Sequence, residues 1–372
     1  MFVEKKSIDT YLGLLPDEVL DTLLKKFGFD ETWIVLPFLN INGKEVAINR
    51  RSETAKKAMI LYQEKLYILK EIPWYCSNKE FVQYELSYQV ELFKQDFPIP
   101  QIQTTLDGNL FTEFIYDKTE KYFFLQKFIV GNSWDGTTKK LQNTAKALAC
   151  LHNKSLATEK NLIGTIPVGD VFSLAQKMVN VINDVLRDKS AKVAQVDLDK
   201  LSAFINYANE KLFKVKSDAQ NKGYNEIAFP IHGDYNPWNL IYNDSHEIIG
   251  VVDFDNSIKD NPVHDLAETI LDFCFFTFRN QKTRLSGVPT ILNKDFCKEI
   301  LQAYYQEIDT SLINTIEYLE ETALAISIEL FALGIVRGDY SLSDCPNFIL
   351  VTEQMFQDLK KIKNKHEYKK NI

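Results

Sequence analysis

The chain has 372 residues, 45% apolar and 25% charged, the composition of an ordinary globular protein with room for one large two-lobed unit or two domains. Its formal net charge of −8 lacks the basic excess that a nucleic-acid partner requires, and charges interrupt every apolar stretch well short of the roughly 18 residues of a membrane span. The opening residues lead into no signal-peptide core, and the five cysteines are odd in number with no C-x-x-C spacing, so neither a disulfide framework nor a zinc site is expected; a reducing cytoplasm fits best.

The first periodic segment, residues 16–29, predicts an amphipathic helix with Val19, Leu20, Leu23 and Leu24 on one face. Short strands follow at 33–38, 57–62 and 66–69, with turns at Asn42-Gly43 and Gln63-Glu64, and Lys70 closes the last strand. Residues 79–93 repeat at helical spacing through Phe81, Tyr84, Tyr88, Leu92 and Phe93, and the helix must stop before Pro98 and Pro100. Residues 122–130 read as a buried strand closed by Gly131, and 144–153 as an apolar helix finished by His152, which is expected to be a cap or a packed neighbour. Two long helical patterns occupy 171–186 and 197–215, and the run 271–278, L-D-F-C-F-F-T-F, reads as core. Between residues 301 and 350, Glu307, Asp309, Glu317, Glu320, Glu321, Glu329, Asp339 and Asp344 face Arg337 as the single basic residue. That stretch is either a set of solvated helix faces or an acidic wall suited to a cationic ligand. The lysines of 360–370 read as a frayed basic helix end.

The chemistry concentrates in two places. Residues 231–242 read I-H-G-D-Y-N-P-W-N-L-I-Y and residues 250–256 read G-V-V-D-F-D-N. In protein kinases the corresponding pattern is H-R-D-x-x-x-x-N followed by D-F-G. Transfer of a γ-phosphoryl group asks the protein to hold phosphates with Mg²⁺ and to orient the attacking hydroxyl. Asp234 is the candidate base, and Asn239 and Asp253 supply an amide oxygen and a carboxylate, ligands that Mg²⁺ accepts while sharing its other positions with phosphates and water. Strand-like runs at 239–242 and 248–252, joined by Asn243-Asp244-Ser245, predict a hairpin that brings these two ligands together. H-G-D alone is a common turn; the second carboxylate, in the right order and at the end of an apolar strand, gives the pair its weight.

With Gly233 in place of the kinase arginine and Asp255 in place of the D-F-G glycine, the pair resembles the aminoglycoside phosphotransferase and choline kinase-like superfamily of small-molecule kinases. That resemblance implies an α+β, bilobal protein-kinase-like fold: an N-lobe over residues 1–125 with an antiparallel sheet and one key helix, a hinge at 126–131, and a mainly helical C-lobe over 132–372. It places Lys70 on the α/β-phosphates and Glu85 as the lysine's partner, with Glu80 and Glu91 as the competing choices. Backbone groups of about Gln126 to Phe128 would meet the purine, and Ser52 would contact phosphate in a covering loop that has no glycine between Gly43 and Lys70. Asn261-Pro262-Val263-His264-Asp265-Leu266-Ala267 resembles the family's P-x-x-D-[LI]-A, in which Asp265 steadies the catalytic loop; His264 receives no role.

The implied activity is phosphorylation of a small-molecule hydroxyl with Mg²⁺ and ATP or GTP. The leading acceptor is an amino-bearing antibiotic, the alternative a metabolic substrate of the homoserine, choline, ethanolamine or sugar kinase type. A non-catalytic nucleotide-binding pseudokinase is disfavoured because Lys70, Asp234, Asn239 and Asp253 are all present. A protein-substrate kinase is disfavoured because no A-P-E-like element or activation loop separates Asp253 from Pro262.

Overall fold

The structure, a computed structural model, describes residues 15–36, 38–41, 44–47, 56–73, 78–116, 118–187, 195–274 and 292–365. The chain divides into two units, Met1–Val130 with Asn161–Ile166, and Gly131–Lys160 with Pro167–Ile372. Strand β8 (Thr119–Lys127) carries the first unit past residue 125. Residues 161–166 return to that unit because they are pinned to helix α2 (Lys79–Lys94): the Thr165 N–H donates to the Glu80 carbonyl at 3.2 Å, and Ser87 Oγ accepts from the Ile163 N–H at 3.0 Å.

In the first unit, helix α1 (Asp17–Lys26) precedes strands β1 (Ile34–Leu36), β2 (Phe38–Ile41), β3 (Lys44–Ala47), β4 (Lys57–Tyr62) and β5 (Lys65–Glu71). After α2 come β6 (Ile102–Gln103), β7 (Thr112–Tyr116) and β8. The sheet runs β1-β4-β5-β8-β6, with β7 also on β8, all pairs antiparallel; β2 and β3 form a separate hairpin. Gln63 and Glu64 join β4 to β5 with positive φ at both positions, the twist-compatible two-residue turn that lets β4 and β5 pair in register. Alternation along β5 decides its faces. Tyr67 and Leu69 join Leu20, Leu23 and Leu24 of α1, each such leucine stabilising by about 1.5–3 kcal/mol. Ile72 lies on the opposite face with Val82 and Leu86 of α2, and the period of two puts Lys70 on that α2 face. Helix α2 begins at Asn78, whose side chain accepts the Glu80 N–H, and ends at Gln95, ahead of the two prolines.

The second unit is mainly helical. Helix α3 (Thr138–Thr158), α4 (Val171–Arg187) and α5 (Gln195–Asn221) precede β9 (Phe229–Ile231), β10 (Leu240–Tyr242), β11 (Ile248–Val251) and β12 (Ile258–Asp260). Then come α6 (Val263–Cys274), α7 (Lys294–Glu307), α8 (Leu319–Arg337) and α9 (Cys345–Lys365). Helix α8 is buried on nearly every face and packs on α4, α5, α6 and α9, while α3 packs on α7. His152 therefore lies inside α3 rather than at its end, and α5 continues six residues beyond the predicted 215. Of the run 271–278, residues Leu271 to Cys274 are buried in α6 and the rest falls outside the described residues. No helix among the described residues is long and apolar enough to cross a membrane.

Candidate active site

Strand β9 pairs with β12 and delivers His232, Gly233 and Asp234 at its end. His232 is fully buried; its Nδ1 accepts the Asp234 N–H at 3.2 Å and its Nε2 lies 3.1 Å from the Val252 carbonyl. An N–H can only donate and a carbonyl can only accept, so the pair selects the tautomer with the proton on Nε2. His232 thereby ties the Asp234 backbone to the residue preceding Asp253, a link that spacing alone did not reveal.

The Asp234 carboxylate is held at both oxygens. Asn236 Nδ2 donates to Oδ1 at 2.7 Å, and Asn239 Nδ2 donates to Oδ2 at 3.1 Å and to the Asp234 carbonyl at 2.8 Å. Asn236 also caps the short 3₁₀ turn Pro237–Asn239, its Oδ1 accepting the Trp238 N–H at 3.0 Å. Tyr235 points the other way, fully buried, and donates its hydroxyl proton to the Thr144 carbonyl. The donor end of the Asn239 amide is thus spent on Asp234, leaving Oδ1 as the end suited to a cation.

The predicted hairpin forms. β10 and β11 pair antiparallel with Leu240 opposite Val251, and the Val252 N–H donates to the Asn239 carbonyl at 3.0 Å, which sets Asn239 beside the residue before Asp253. Asn243 closes the turn, accepting the Glu247 N–H on its side chain. On the far side of the hairpin the Asn132 backbone exchanges hydrogen bonds with Tyr242 at 2.7 and 2.8 Å, and Gly131 has no room for a side chain, since a Cβ would sit 2.6 Å from the Tyr242 carbonyl oxygen.

Asp253 has φ +71°, a left-handed conformation that costs a non-glycine residue of order 1–3 kcal/mol and is concentrated at functional sites. Asp tolerates it better than most residues. Gly233 has φ +76°, and a Cβ there would lie 2.1 Å from the Asn256 carbonyl oxygen. Both facts explain why glycine occupies the kinase arginine position: the loop crosses the segment after Asp253 at backbone contact.

Asp265, in the first turn of α6, anchors the loop. Its Oδ1 accepts the Gly233 N–H at 2.8 Å and its Oδ2 the His232 N–H at 2.9 Å. Burial, the largest influence, works to raise this carboxyl; the His152 hydrogen bond and the nearby imidazoles outweigh it and hold it below the usual carboxylate range. His264 also acquires a partner. Its Nδ1 lies 2.9 Å from Asp260 Oδ2, and although burial works to lower its pKa, the Asp260 hydrogen bond and charge leave it raised.

Among the described residues no three His, Cys, Asp or Glu side chains cluster as a metal site. An amide oxygen and a carboxylate joined by a hairpin instead fit a hard cation that keeps phosphate and water in its remaining positions.

In the first unit Lys70 is buried opposite Phe124 of β8, and Glu85 is buried on α2, its Oε1 accepting from Gln89 at 3.1 Å. Glu80 is exposed and Glu91 is engaged by Lys94 and Asn161, so Glu85 is the buried carboxylate of the three. Gln126 belongs to β8, paired with both Ile68 and Ile102. Phe128 follows the strand and its N–H donates to the Leu66 carbonyl, so this residue can offer a purine only its own carbonyl. Ser52 lies outside the described residues.

The acidic-wall expectation requires correction. Glu320 is buried and paired with Lys363 at 2.5 Å, and Glu321 is buried and paired with Lys222 at 2.8 Å, both at the N-terminus of α8 where the helix dipole favours carboxylates. Asp309 and Asp344 accept backbone N–H groups of Ser311 and Ser341. Glu320, Glu321 and Asp344 are buried structural partners and Asp309 is an exposed cap, and the lysines that neutralise two of the four lie outside the acidic stretch.

Residues 228–285 match the model of the phosphotransferase enzyme family. No curated protein sequence matches the chain. Among solved structures, the chain resembles a microcompartment-associated aminopropanol kinase with 13% identity and a TM-score of 0.61, covering 93% of this chain and 99% of that one. It resembles an amicoumacin kinase solved with AMP-PNP and Ca²⁺ at 12% identity and TM-score 0.59, covering 95% of each chain. An aminoglycoside phosphotransferase from Alicyclobacillus acidocaldarius stands at 15% and 0.58, covering 96% of this chain and 98% of that one. These likenesses establish the fold, the kinase-like combination of an antiparallel sheet unit and a helical unit, over nearly the whole chain.

Proposed function

We propose that this protein is a phosphotransferase that moves the γ-phosphoryl group of ATP or GTP to a hydroxyl of a small molecule, with Mg²⁺ as the required cation. The observation that carries the reading is the doubly held Asp234 carboxylate, in a loop whose Asn239 accepts the Val252 N–H. Asp234 orients the acceptor hydroxyl and takes its proton. Asn239 Oδ1 and the Asp253 carboxylate hold the cation, which when bound neutralises charge on the nucleotide phosphates. Lys70, with Glu85 on the α2 face of its sheet, holds the α/β-phosphates. Backbone groups of about Gln126 to Phe128 are assigned to the purine edge and Ser52 to phosphate, both from their sequence positions.

For the acceptor we favour a molecule that carries both a hydroxyl and an amine. An amino-bearing antibiotic leads, and an amino alcohol is the rival, in keeping with the aminopropanol and ethanolamine kinases among the similar structures. The support lies in that company, since Glu320 and Glu321 are committed to lysines. The test is ADP release with ATP and with GTP across amino-bearing antibiotics, amino alcohols, homoserine and sugars. Mg²⁺-dependent nucleotide binding with no acceptor-stimulated ADP release anywhere on that panel would replace this reading with a non-catalytic nucleotide-binding protein.

A further inference from the structure

Three fully buried polar side chains from three helices form a hydrogen-bonded line that ends on the catalytic loop. The Tyr304 hydroxyl on α7 lies 2.7 Å from His152 Nδ1 on α3, and His152 Nε2 lies 3.2 Å from Asp265 Oδ2 on α6. The same carboxylate accepts the His232 and Gly233 N–H groups. Burial pushes the Tyr304 phenol far above its ordinary value, so the hydroxyl keeps its proton and can donate it. A phenol donating to Nδ1 selects the imidazole tautomer whose proton is on Nε2, where Asp265 accepts it. Every donor on the line then meets an acceptor, as a buried polar network requires.

We propose that Tyr304 and His152 are positioning residues for phosphoryl transfer: Tyr304 sets the His152 tautomer, His152 fixes the rotamer and charge of Asp265, and Asp265 holds the two amides that aim Asp234. Neither residue touches the reacting atoms. The proposal rests on Asp234 being the base. It accounts for a histidine whose ring lies between a phenol and a carboxylate, where apolar packing between α3 and α7 would need no polar atom. It also explains how the placement of α7, far along the chain, reaches residues 232–234.

The experiment pairs turnover with amide exchange. ADP release from MgATP is measured with aminopropanol, ethanolamine and an aminoglycoside as acceptors and with water alone, and hydrogen exchange is followed at residues 232–234. Tyr304→Phe removes one oxygen and keeps the ring. It should lower kcat about tenfold, the loss of one buried hydrogen bond, with nucleotide KM nearly unchanged, and should speed exchange at 232–234 by a similar factor. His152→Gln can still present an N–H to Asp265 and should retain most of the turnover that His152→Leu loses. In the His152→Gln background Tyr304→Phe should add nothing, because its route to Asp265 is already cut. Wild-type kcat and exchange in Tyr304→Phe, or an equal slowing in both backgrounds, would overturn the proposal. If the wild type releases no ADP with any acceptor or with water, the functional reading fails by itself, and the exchange measurements still decide whether the line holds the loop.

Discussion

Replacing Asp265 with Asn tests the anchor of the 232–234 loop with almost no change of shape. The carboxylate accepts three donors, the Gly233 N–H at 2.8 Å, the His232 N–H at 2.9 Å and His152 Nε2 at 3.2 Å. An amide has one acceptor oxygen and turns an NH₂ toward at least one of these donors. Hydrogen bonds to a charged partner contribute about 1.5–3 kcal/mol each, and breaking a buried charged network costs about 3–5 kcal/mol. That is a large share of the roughly 5–15 kcal/mol that holds a domain together. Hydrogen exchange at residues 232–234 reads the loop directly and should accelerate on the order of 10²-fold or more; a urea titration gives the accompanying loss of stability. The folded Asp265 carboxyl sits below its ordinary value, so its contribution is complete above about pH 4 and is lost as pH falls through the folded value. The gap between wild type and variant should therefore be constant from about pH 5 upward and close in stronger acid. A loss below about 1 kcal/mol with unchanged loop exchange, or a gap that persists in acid, would refute the anchor.

Four further outcomes are expected. Asp234→Asn should keep the fold and Mg²⁺-nucleotide affinity while ADP release drops by roughly 10²-fold or more, and near-normal turnover would remove Asp234 from its role. Asp253→Ala should weaken Mg²⁺ dependence directly, since it deletes a proposed ligand, and it places alanine in a left-handed backbone that Asp tolerates better; unchanged Mg²⁺ titration of ADP release would count against the assignment. Gly233→Ala should destabilise by about 1–3 kcal/mol from the left-handed backbone alone and also push the loop off the Asn256 carbonyl, so a thermal melt and turnover should both suffer. His264→Gln removes a partner of Asp260: with its folded pKa raised, His264 contributes fully below about pH 6.5 and loses that contribution as pH rises through the folded value, so the stability gap to wild type should shrink in alkali and be largest in mild acid.

The parts of this protein that could be read along the chain are those whose cause is local. Strand β4 and the turn at Gln63-Glu64 follow from alternation and two-residue turn geometry, α2 from its periodicity and the prolines beyond it, and the β10–β11 hairpin from two apolar runs around Asn243. The hairpin already placed Asn239 near Asp253, because only the five residues 243–247 separate the strands' inner ends, Tyr242 and Ile248, and the ladder sets Leu240 opposite Val251. What required the tertiary structure are contacts between residues far apart in sequence. Asp265 meets His232 and Gly233 from a helix that follows another strand, and His152 meets Tyr304 at a separation of 152 residues. The fate of the acidic stretch was decided in the same way: Lys222 precedes it, Lys363 follows it, and charge density along the chain says nothing about which cations the fold brings to Glu321 and Glu320. Local pattern records what a residue prefers to be next to in solvent or core; pairing of buried charges is enforced by the cost of burying them alone, a cost that exists only once the helices have packed.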